Sequence, residues 1–388
     1  MDIAKIQESL RKAGADCWLF YDHHHRDPIA YRVLGLPQTT MVTRRWFYVI
    51  PAQGEPARLV HRIESHHLDS LPGSKSEYSS WQELHDGIRK MLAPYKKVVM
   101  QYSPNNQIPY ISLVDGGMLE LVRSFGKEIV SSADLVSRFE AVLSDDQIAS
   151  HFEAQKKLDV ICDAAFKEIG RRVRNGGCTE YDIQKFILEA YSREGVETED
   201  PPNCSANENS GDPHYEPTAE RHKKIKEGDF ILIDMWGRMK RPDSVYYDIT
   251  WTGFVGKAPS DKQREVFQVV RDARNVGIET VKKAFAAGEK IQGWQVDHAV
   301  RAFIESKGYL KYFVHRTGHS ITHAIHGNGA NLDDLETKDD RQILPNTCFS
   351  VEPGVYLPEF GVRSEIDMMT RSNSAEVTGR IQTELVLI

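Results

Sequence analysis

Four acidic residues interrupt apolar, strand-like segments in the C-terminal half of the chain. Asp234 ends the apolar run ILI, Asp248 interrupts YYDITWT, and Glu352 and Glu365 lie in CFSVEPGVY and VRSEIDMM. A buried carboxylate is costly unless it is paired or bound to a cation. Any one of the four could be an edge-strand carboxylate facing water. Gathered together they would repel by several kcal/mol per close pair at an effective dielectric of about 20, and two divalent cations would nearly neutralise them.

Turn residues separate the members of each acidic pair. Gly237 and Pro242 lie between the two aspartates, and the segment LPEFG lies between the two glutamates. Such residues can reverse the chain, so antiparallel pairing would bring Asp234 close to Asp248. The glutamate segments predict a second hairpin in the same way.

A histidine-rich segment, FVHRTGHSITHAIHG, lies between the two predicted hairpins, with histidines at 315, 319, 323 and 326. Imidazole is the usual nitrogen ligand beside carboxylates, and Gly318 leaves room for close backbone approach next to His319. Spacing alone does not select the ligand. If the segment were helical, His315, His319 and His323 would form a solvated face instead.

Taken in order, these motifs resemble the pita-bread metallopeptidases, a family that includes prolidase, aminopeptidase P and methionine aminopeptidase. The similarity covers about residues 145–388. NENSGDPHY resembles the family block that ends in a histidine, HRTGH resembles HxxGH, and VEPGVY and GVRSE resemble the last two ligand blocks. The resemblance implies the metal ligands Asp234, Asp248, His319, Glu352 and Glu365.

The sequence departs from the family pattern at two places. The two aspartates are 14 residues apart, where the family has a shorter hairpin, so Asp243 rivals Asp248; the Asp-x-Thr setting with Thr250 favours Asp248. Gly327 replaces the glutamate that the family commonly has after the histidine corresponding to His326. This change bears on substrate preference and leaves the ligand set intact.

The resemblance also implies a mechanism. Asp248 and Glu365 would bridge two metal ions, and a water between two metals loses its proton near neutral pH. Glu352 would take up and relay that proton. His326 and His214 would contact the substrate carbonyl and the developing oxyanion. The candidates for binding the proline end are His315 and Arg363; Arg363 could instead neutralise surplus carboxylate charge.

The implied activity is that of a Xaa-Pro dipeptidase, which cleaves a small peptide before a C-terminal proline. Aminopeptidase P activity on longer peptides is the nearest alternative. An ectoine hydrolase, a sulfoniopropionate lyase or a non-catalytic binding protein are further alternatives, whereas the intact ligand set argues against the metal-free creatinase. The resemblance favours two manganese ions, although the donor set also accepts cobalt, zinc or iron. It also implies a homodimer.

The elements that would position these residues predict two domains. Residues 1–142 alternate strand and helix patterns and are similar to the creatinase-like N-terminal α/β domain of prolidases. A capping box, Ser144 with Gln147, opens a long helix of the second domain, residues 143–388. This domain is expected to be α+β, a pita-bread catalytic domain with a mostly antiparallel sheet.

Composition excludes several other classes of protein. The net charge of −7, with both signs mixed along the chain, gives no reason to expect nucleic acid as a partner. No apolar run is long enough to span a membrane. The five cysteines are widely separated and lack a CxxC pair, so a reducing cytoplasm is the expected compartment. Consecutive His23, His24 and His25 cannot easily converge on one ion. The family resemblance implies that this segment could instead contribute to substrate size selection.

Overall fold

The chain divides after Glu140. A computed structural model describes residues 1–388 and separates them into two units, Met1–Glu140 and Ala141–Ile388. The sequence-based boundary between residues 142 and 143 stays a prediction. No helix in either unit combines the length and the hydropathy that a membrane span requires.

The first unit is a mixed sheet covered by helices. Its strands are β1 (Cys17–Asp22), β2 (Trp46–Pro51), β3 (Ala57–His61), β4 (Ser74–Tyr78), β5 (Lys97–Met100) and β6 (Glu128–Ser131). Its helices are α1 (Ile3–Lys12), α2 (Pro28–Leu34), α3 (Trp81–Leu92), α4 (Gly116–Ser124) and α5 (Ala133–Glu140). The strand order is β4-β3-β2-β1-β5-β6. A capping box formed by Ser80 and Glu83 opens α3.

The second unit contains four long helices: α6 (Asp145–Arg174), α7 (Glu180–Glu194), α8 (Asp261–Ala287) and α9 (Gly293–Ser306). Ser144 caps α6 through the Gln147 amide, as predicted, and Ser260 caps α8 in the same way. These caps satisfy backbone N–H groups that a helix cannot pair internally.

Strands of the second unit form mostly antiparallel ladders. In chain order they are β7 (Cys178–Thr179), β8 (Val196–Glu197), β9 (Asn203–Ala206), β10 (Lys224–Ile225), β11 (Phe230–Met239), β12 (Tyr247–Phe254), β13 (Ser320–Ile321), β14 (Cys348–Val351), β15 (Gly354–Tyr356), β16 (Gly361–Arg363), β17 (Ile366–Thr370), β18 (Ala375–Val377) and β19 (Val386–Leu387). The larger sheets have the orders β19-β12-β11-β8, with β9 also paired to β11, and β13-β14-β17-β18.

Side-chain alternation divides β11 and β12 into two faces. Ile231, Ile233 and Ile249 pack into a buried apolar core with residues of α6 and α7. Because successive side chains of a strand point to opposite faces, Asp234 and Asp248 project away from that core. The burial of the isoleucines therefore fixes the direction in which both carboxylates point.

Candidate metal centre

The two aspartates lie on one antiparallel hairpin. Asp234 pairs with Thr250, and Trp236 pairs with Asp248, so the two carboxylates are diagonal neighbours on one face. The predicted antiparallel pairing is confirmed. The rival Asp243 lies in the exposed turn between β11 and β12, with a φ of 58°, and does not join the buried carboxylates.

The two glutamates face each other across a gap in a second hairpin. The ladders β14–β17 and β15–β16 share one register, which places Glu352 opposite Glu365 where neither ladder continues. The backbone N–H of Glu352 donates instead to the Thr317 carbonyl at 2.7 Å, and that of Glu365 donates to the Thr250 carbonyl at 3.1 Å. The second hairpin is confirmed, and its interruption links it to the strand of Asp248.

His319 completes the cluster. Its backbone N–H donates to the Ser350 hydroxyl at 2.9 Å, and its Nε2 lies 3.6 Å from Asp248 Oδ2 and 3.3 Å from Glu352 Oε1. The segment is extended here and enters β13, so the helical alternative for the histidines is wrong. A Cβ on Gly318 would lie 2.0 Å from the Ser350 carbonyl oxygen, which explains the glycine next to His319.

Burial and mutual repulsion govern the charge of these groups. Desolvation, followed by the charge of Asp234, raises the pKa of Asp248 well above its usual value. Desolvation and then the charge of Asp248 do the same to the pKa of Glu365. Desolvation also raises the pKa of Glu352, and the nearby His319 opposes this rise. Desolvation lowers the pKa of His319. Neutral imidazole is the form that binds a metal.

Two oxygens of the cluster have no protein partner. Asp248 Oδ1 and Glu365 Oε1 are buried and accept no hydrogen bond. Buried acceptors of this kind are normally satisfied, and an orphaned one requires an explanation such as an ion. Ligand atoms of Asp248, His319 and Glu365 all lie within 4.8 Å of one another. A set of carboxylates with one imidazole fits divalent cations.

Arg363 lies against the cluster and is 4 % exposed. Its guanidinium contacts the Asp234 carboxylate, and it donates from Nε to the Thr250 hydroxyl at 3.0 Å and from Nη1 to the Tyr356 hydroxyl at 2.9 Å. These contacts favour the charge-neutralising alternative for Arg363. Its role in binding substrate stays a prediction.

Three further histidines surround the cluster. His315 Nε2 lies 2.7 Å from the Tyr356 hydroxyl, and burial lowers the pKa of His315 to about 3. The His326 ring packs edge-on at 4.4 Å from the His319 ring, and the neighbouring His319 together with burial lowers the pKa of His326 to about 3. The charge of His214 contributes to the same lowering of the His326 pKa, and the His214 side chain is exposed.

The sequence profile of metallopeptidase family M24 matches residues 153–372, a segment that includes all five proposed ligands. The chain belongs to metallopeptidase family M24. Divalent-metal binding therefore follows from the family, while the number and identity of the ions do not.

Relatives of this M24 chain include peptidases from bacteria. A Xaa-Pro dipeptidase of Lactobacillus helveticus is 34% identical over 210 residues, which are 52% of this chain and 51% of the relative. An uncharacterized peptidase of Bacillus subtilis, YqhT, is 30% identical over 264 residues, 67% of this chain and 68% of the relative. The chain thus spans about half to two thirds of these two relatives.

The fold is shared with solved structures of peptidases. Dipeptidase PepE from Mycobacterium ulcerans aligns with a TM-score of 0.72 and 21% identity, over 100% of this chain and 96% of that chain. The likeness at this identity concerns the fold. The predicted α+β, pita-bread architecture is confirmed.

A residue that sequence reasoning missed lies behind the M24 site. Asp367 is fully buried and accepts the Asp248 backbone N–H at 2.8 Å. Its position in the strand IDMM carries the same signal, an acid within an apolar run, that identified the other carboxylates. His151 and Cys348 approach Asp367, but both His151 nitrogens are bonded, to the Tyr246 carbonyl and the Thr378 hydroxyl. This second cluster is therefore a buried polar network whose histidine is already occupied, although Asp367 Oδ1 has no partner.

Proposed function

We propose that this chain is a dinuclear-metal hydrolase that cleaves the peptide bond before proline, acting as a Xaa-Pro dipeptidase. One observation carries the proposal: four carboxylates and an imidazole converge in an M24 chain and leave the buried oxygens Asp248 Oδ1 and Glu365 Oε1 without a partner. The name of the Lactobacillus relative supports the substrate class.

The proposed ligand set divides between two ions. Asp248 and Glu365 would be shared, since each has an unpaired oxygen. Asp234 would bind one ion, and His319 and Glu352 would bind the other, in keeping with the 3.3 Å between His319 Nε2 and Glu352 Oε1. Bound divalent ions lower the pKa of a water and polarise a substrate carbonyl. Manganese is the proposed metal.

Glu352 is the proposed proton acceptor and donor. Its backbone N–H is held by the Thr317 carbonyl, and its Oε1 accepts the Ser350 hydroxyl at 3.1 Å. Both contacts orient the carboxyl group toward His319. Desolvation raises the pKa of Glu352, and a carboxyl pKa moved toward neutrality suits a group that accepts and then returns a proton at neutral pH.

The histidines are the proposed substrate contacts. His326 and His214 would donate to the scissile carbonyl and to the charge that develops on its oxygen. His315 would contact the proline end, and its hydrogen bond to the Tyr356 hydroxyl fixes the direction of its ring. Arg363 would not contact the reacting bond. Its contact with the Asp234 carboxylate would hold that proposed ligand in place.

The contact between Arg363 and Asp234 also favours a second candidate, an aminopeptidase P activity. A dipeptide ends in a free carboxylate at proline, and the guanidinium expected to bind it is already paired with Asp234. A longer peptide needs no cation at that position.

Hydrolysis of Ala-Pro, Ala-Pro-Ala and Ala-Ala by manganese-loaded protein tests the proposal. The dipeptidase function predicts preference for Ala-Pro, no cleavage of Ala-Ala and loss of activity after chelation. Preference for Ala-Pro-Ala would support the aminopeptidase instead. Failure to cleave either proline peptide would refute both and direct attention to the non-peptide substrates of related enzymes.

A homodimeric state and a cytoplasmic location also stay proposals. Light scattering after size exclusion measures the mass of the assembly in solution. Fractionation of the source cells measures the location, and a fluorescent fusion should give diffuse cytoplasmic signal if the expectation from cysteine usage is right.

A further inference from the structure

Glu180 is a fully buried carboxylate at the first position of α7. It accepts hydrogen bonds from the backbone of Ala206 and Lys223, both at 2.7 Å, and from the Tyr215 hydroxyl at 2.6 Å. The Asn209 amide adds contacts of 2.9 and 3.0 Å to the two oxygens. None of these donors is a charged side chain. A buried carboxylate is tolerated here because it receives many N–H and O–H donors and lies at a helix N-terminus.

The donors to Glu180 all belong to one excursion of the chain, residues 206–223. The chain leaves the sheet at Ala206, the end of β9, and returns at Lys223, next to β10. Glu180 holds both ends, and it holds the interior through Asn209 and Tyr215. One carboxylate thus fastens a segment of eighteen residues at four points.

His214 lies between the fastened points of this excursion. It directly precedes Tyr215, whose hydroxyl binds Glu180. On the other side, the Ser210 hydroxyl accepts the Gly361 N–H at 2.9 Å, which docks the segment on the strand that carries Arg363. The His214 side chain itself is exposed. Its position therefore depends on the backbone that Glu180 and Ser210 hold.

We infer that Glu180 is a positioning residue, which sets the place of His214 beside the metal centre through Tyr215. The inference rests on the proposed function insofar as His214 contacts substrate. The hydrogen bond between Ser210 and Gly361, on the strand that carries Arg363, is the contact that brings this segment to the site. Glu180 itself touches neither the proposed ligands nor substrate.

The variant Glu180→Gln tests this role. A glutamine amide offers one acceptor oxygen and one NH2 group, which would face donors such as the Tyr215 hydroxyl and the Lys223 N–H. An unmet buried donor costs free energy, so the excursion should shift. We expect kcat for Ala-Pro to fall about tenfold with manganese stoichiometry unchanged, because binding through His214 matters most when charge develops on the carbonyl.

Coupling to His214 separates positioning from general destabilisation. If Glu180 acts through His214, the double variant E180Q/H214A should be no slower than H214A alone. If the loss of kcat in the double variant equals the product of the losses in the two single variants, the inference is overturned. Tyr215→Phe removes one contact while leaving the fold intact, and should lower kcat by about two- to fivefold. The matched control Tyr309→Phe removes a hydroxyl that donates to Glu265 at 2.7 Å and should leave kcat unchanged.

A spectroscopic readout keeps the test independent of the proposed activity. The His214 Cε1–Hε1 resonance, assigned by its loss in H214A, should move in both E180Q and Y215F. Asp333→Asn, at another buried carboxylate that accepts backbone N–H groups, should destabilise the protein without moving that resonance. An unmoved resonance in E180Q and Y215F overturns the inference, whereas absent Xaa-Pro cleavage with a moved resonance overturns only the proposed function.

Discussion

Replacing one proposed ligand, Asp248→Asn, should stabilise the metal-free protein while abolishing metal binding. Asp248 is 4% exposed, its Oδ1 has no partner, and the charge of Asp234 adds to the cost of its burial. The amide is nearly isosteric with the carboxyl group and carries no charge. Without a metal, the protein must bury this carboxyl group either charged or protonated, and both cost free energy at pH 7. The neutral amide should therefore raise the stability of the stripped protein.

The size of the effect follows from the pKa of Asp248. Because its pKa in the folded protein is raised, its contribution to stability is complete below its ordinary pKa near 4 and is lost as the pH rises toward the folded value. Holding such a carboxyl protonated costs at most about 4 kcal/mol at pH 7 and about 1.5 kcal/mol at pH 5. Imperfect hydrogen bonding of the buried amide should offset about 1–2 kcal/mol of that gain.

Thermal unfolding of chelator-stripped protein measures this prediction. A net gain of about 2 kcal/mol at pH 7 corresponds to a rise in Tm of about 4–8 °C for a unit of this size. The rise should shrink at pH 5, and manganese should stabilise the wild type but not D248N. Asp243→Asn, in the exposed turn of the same hairpin, is the control. It should change neither the Tm of the stripped protein nor the stabilisation by manganese. A stripped D248N that melts at or below the wild-type Tm at pH 7 would refute the reasoning.

Three other substitutions probe the site. Arg363→Met leaves the Asp234 carboxylate without its cation, and should lower the free energy of unfolding of stripped protein by about 3 kcal/mol in urea titrations. His326→Ala should lower kcat for Ala-Pro about 100-fold, with metal stoichiometry by elemental analysis unchanged. Gly318→Ala forces a Cβ against the Ser350 carbonyl and should weaken manganese binding, measured by calorimetry, by about tenfold or more.

Each substitution has a matched control. Arg264→Met removes an exposed arginine that pairs with Asp261, and should cost less than about 1 kcal/mol. His298→Ala, on the exposed side of α9, should keep full kcat. Gly177→Ala meets open space and should bind manganese normally. The account fails if a site variant behaves like its control.

The sequence was sufficient for elements whose physical cause is local. Side-chain alternation and turn residues predicted the hairpin of Asp234 and Asp248, and the pairing of Ser144 with Gln147 predicted the start of α6. The edge strand β4 carries no such local signal: it has the polar sequence SKSEY and four exposed residues, so it lacks the apolar alternation that reveals a half-buried strand.

Long-range contacts could not be predicted from the pattern. The ladder gap at Glu352 depends on a hydrogen bond to Thr317, and Arg363 of β16 reaches Asp234 of β11, which belongs to a different sheet. The hydrogen bonds that Glu180 accepts come from residues up to 43 positions away. Such partners are chosen by the packed tertiary structure, which a single sequence does not disclose, whereas the family resemblance supplied the ligand set itself.

Titration of stripped protein with manganese, followed by the rate of Ala-Pro hydrolysis, tests the central claim most directly. The account predicts negligible activity without metal and a rate that saturates at two ions per chain. Activity that persists without metal, or its absence at full occupancy, would contradict a dinuclear Xaa-Pro dipeptidase built on Asp234, Asp248, His319, Glu352 and Glu365.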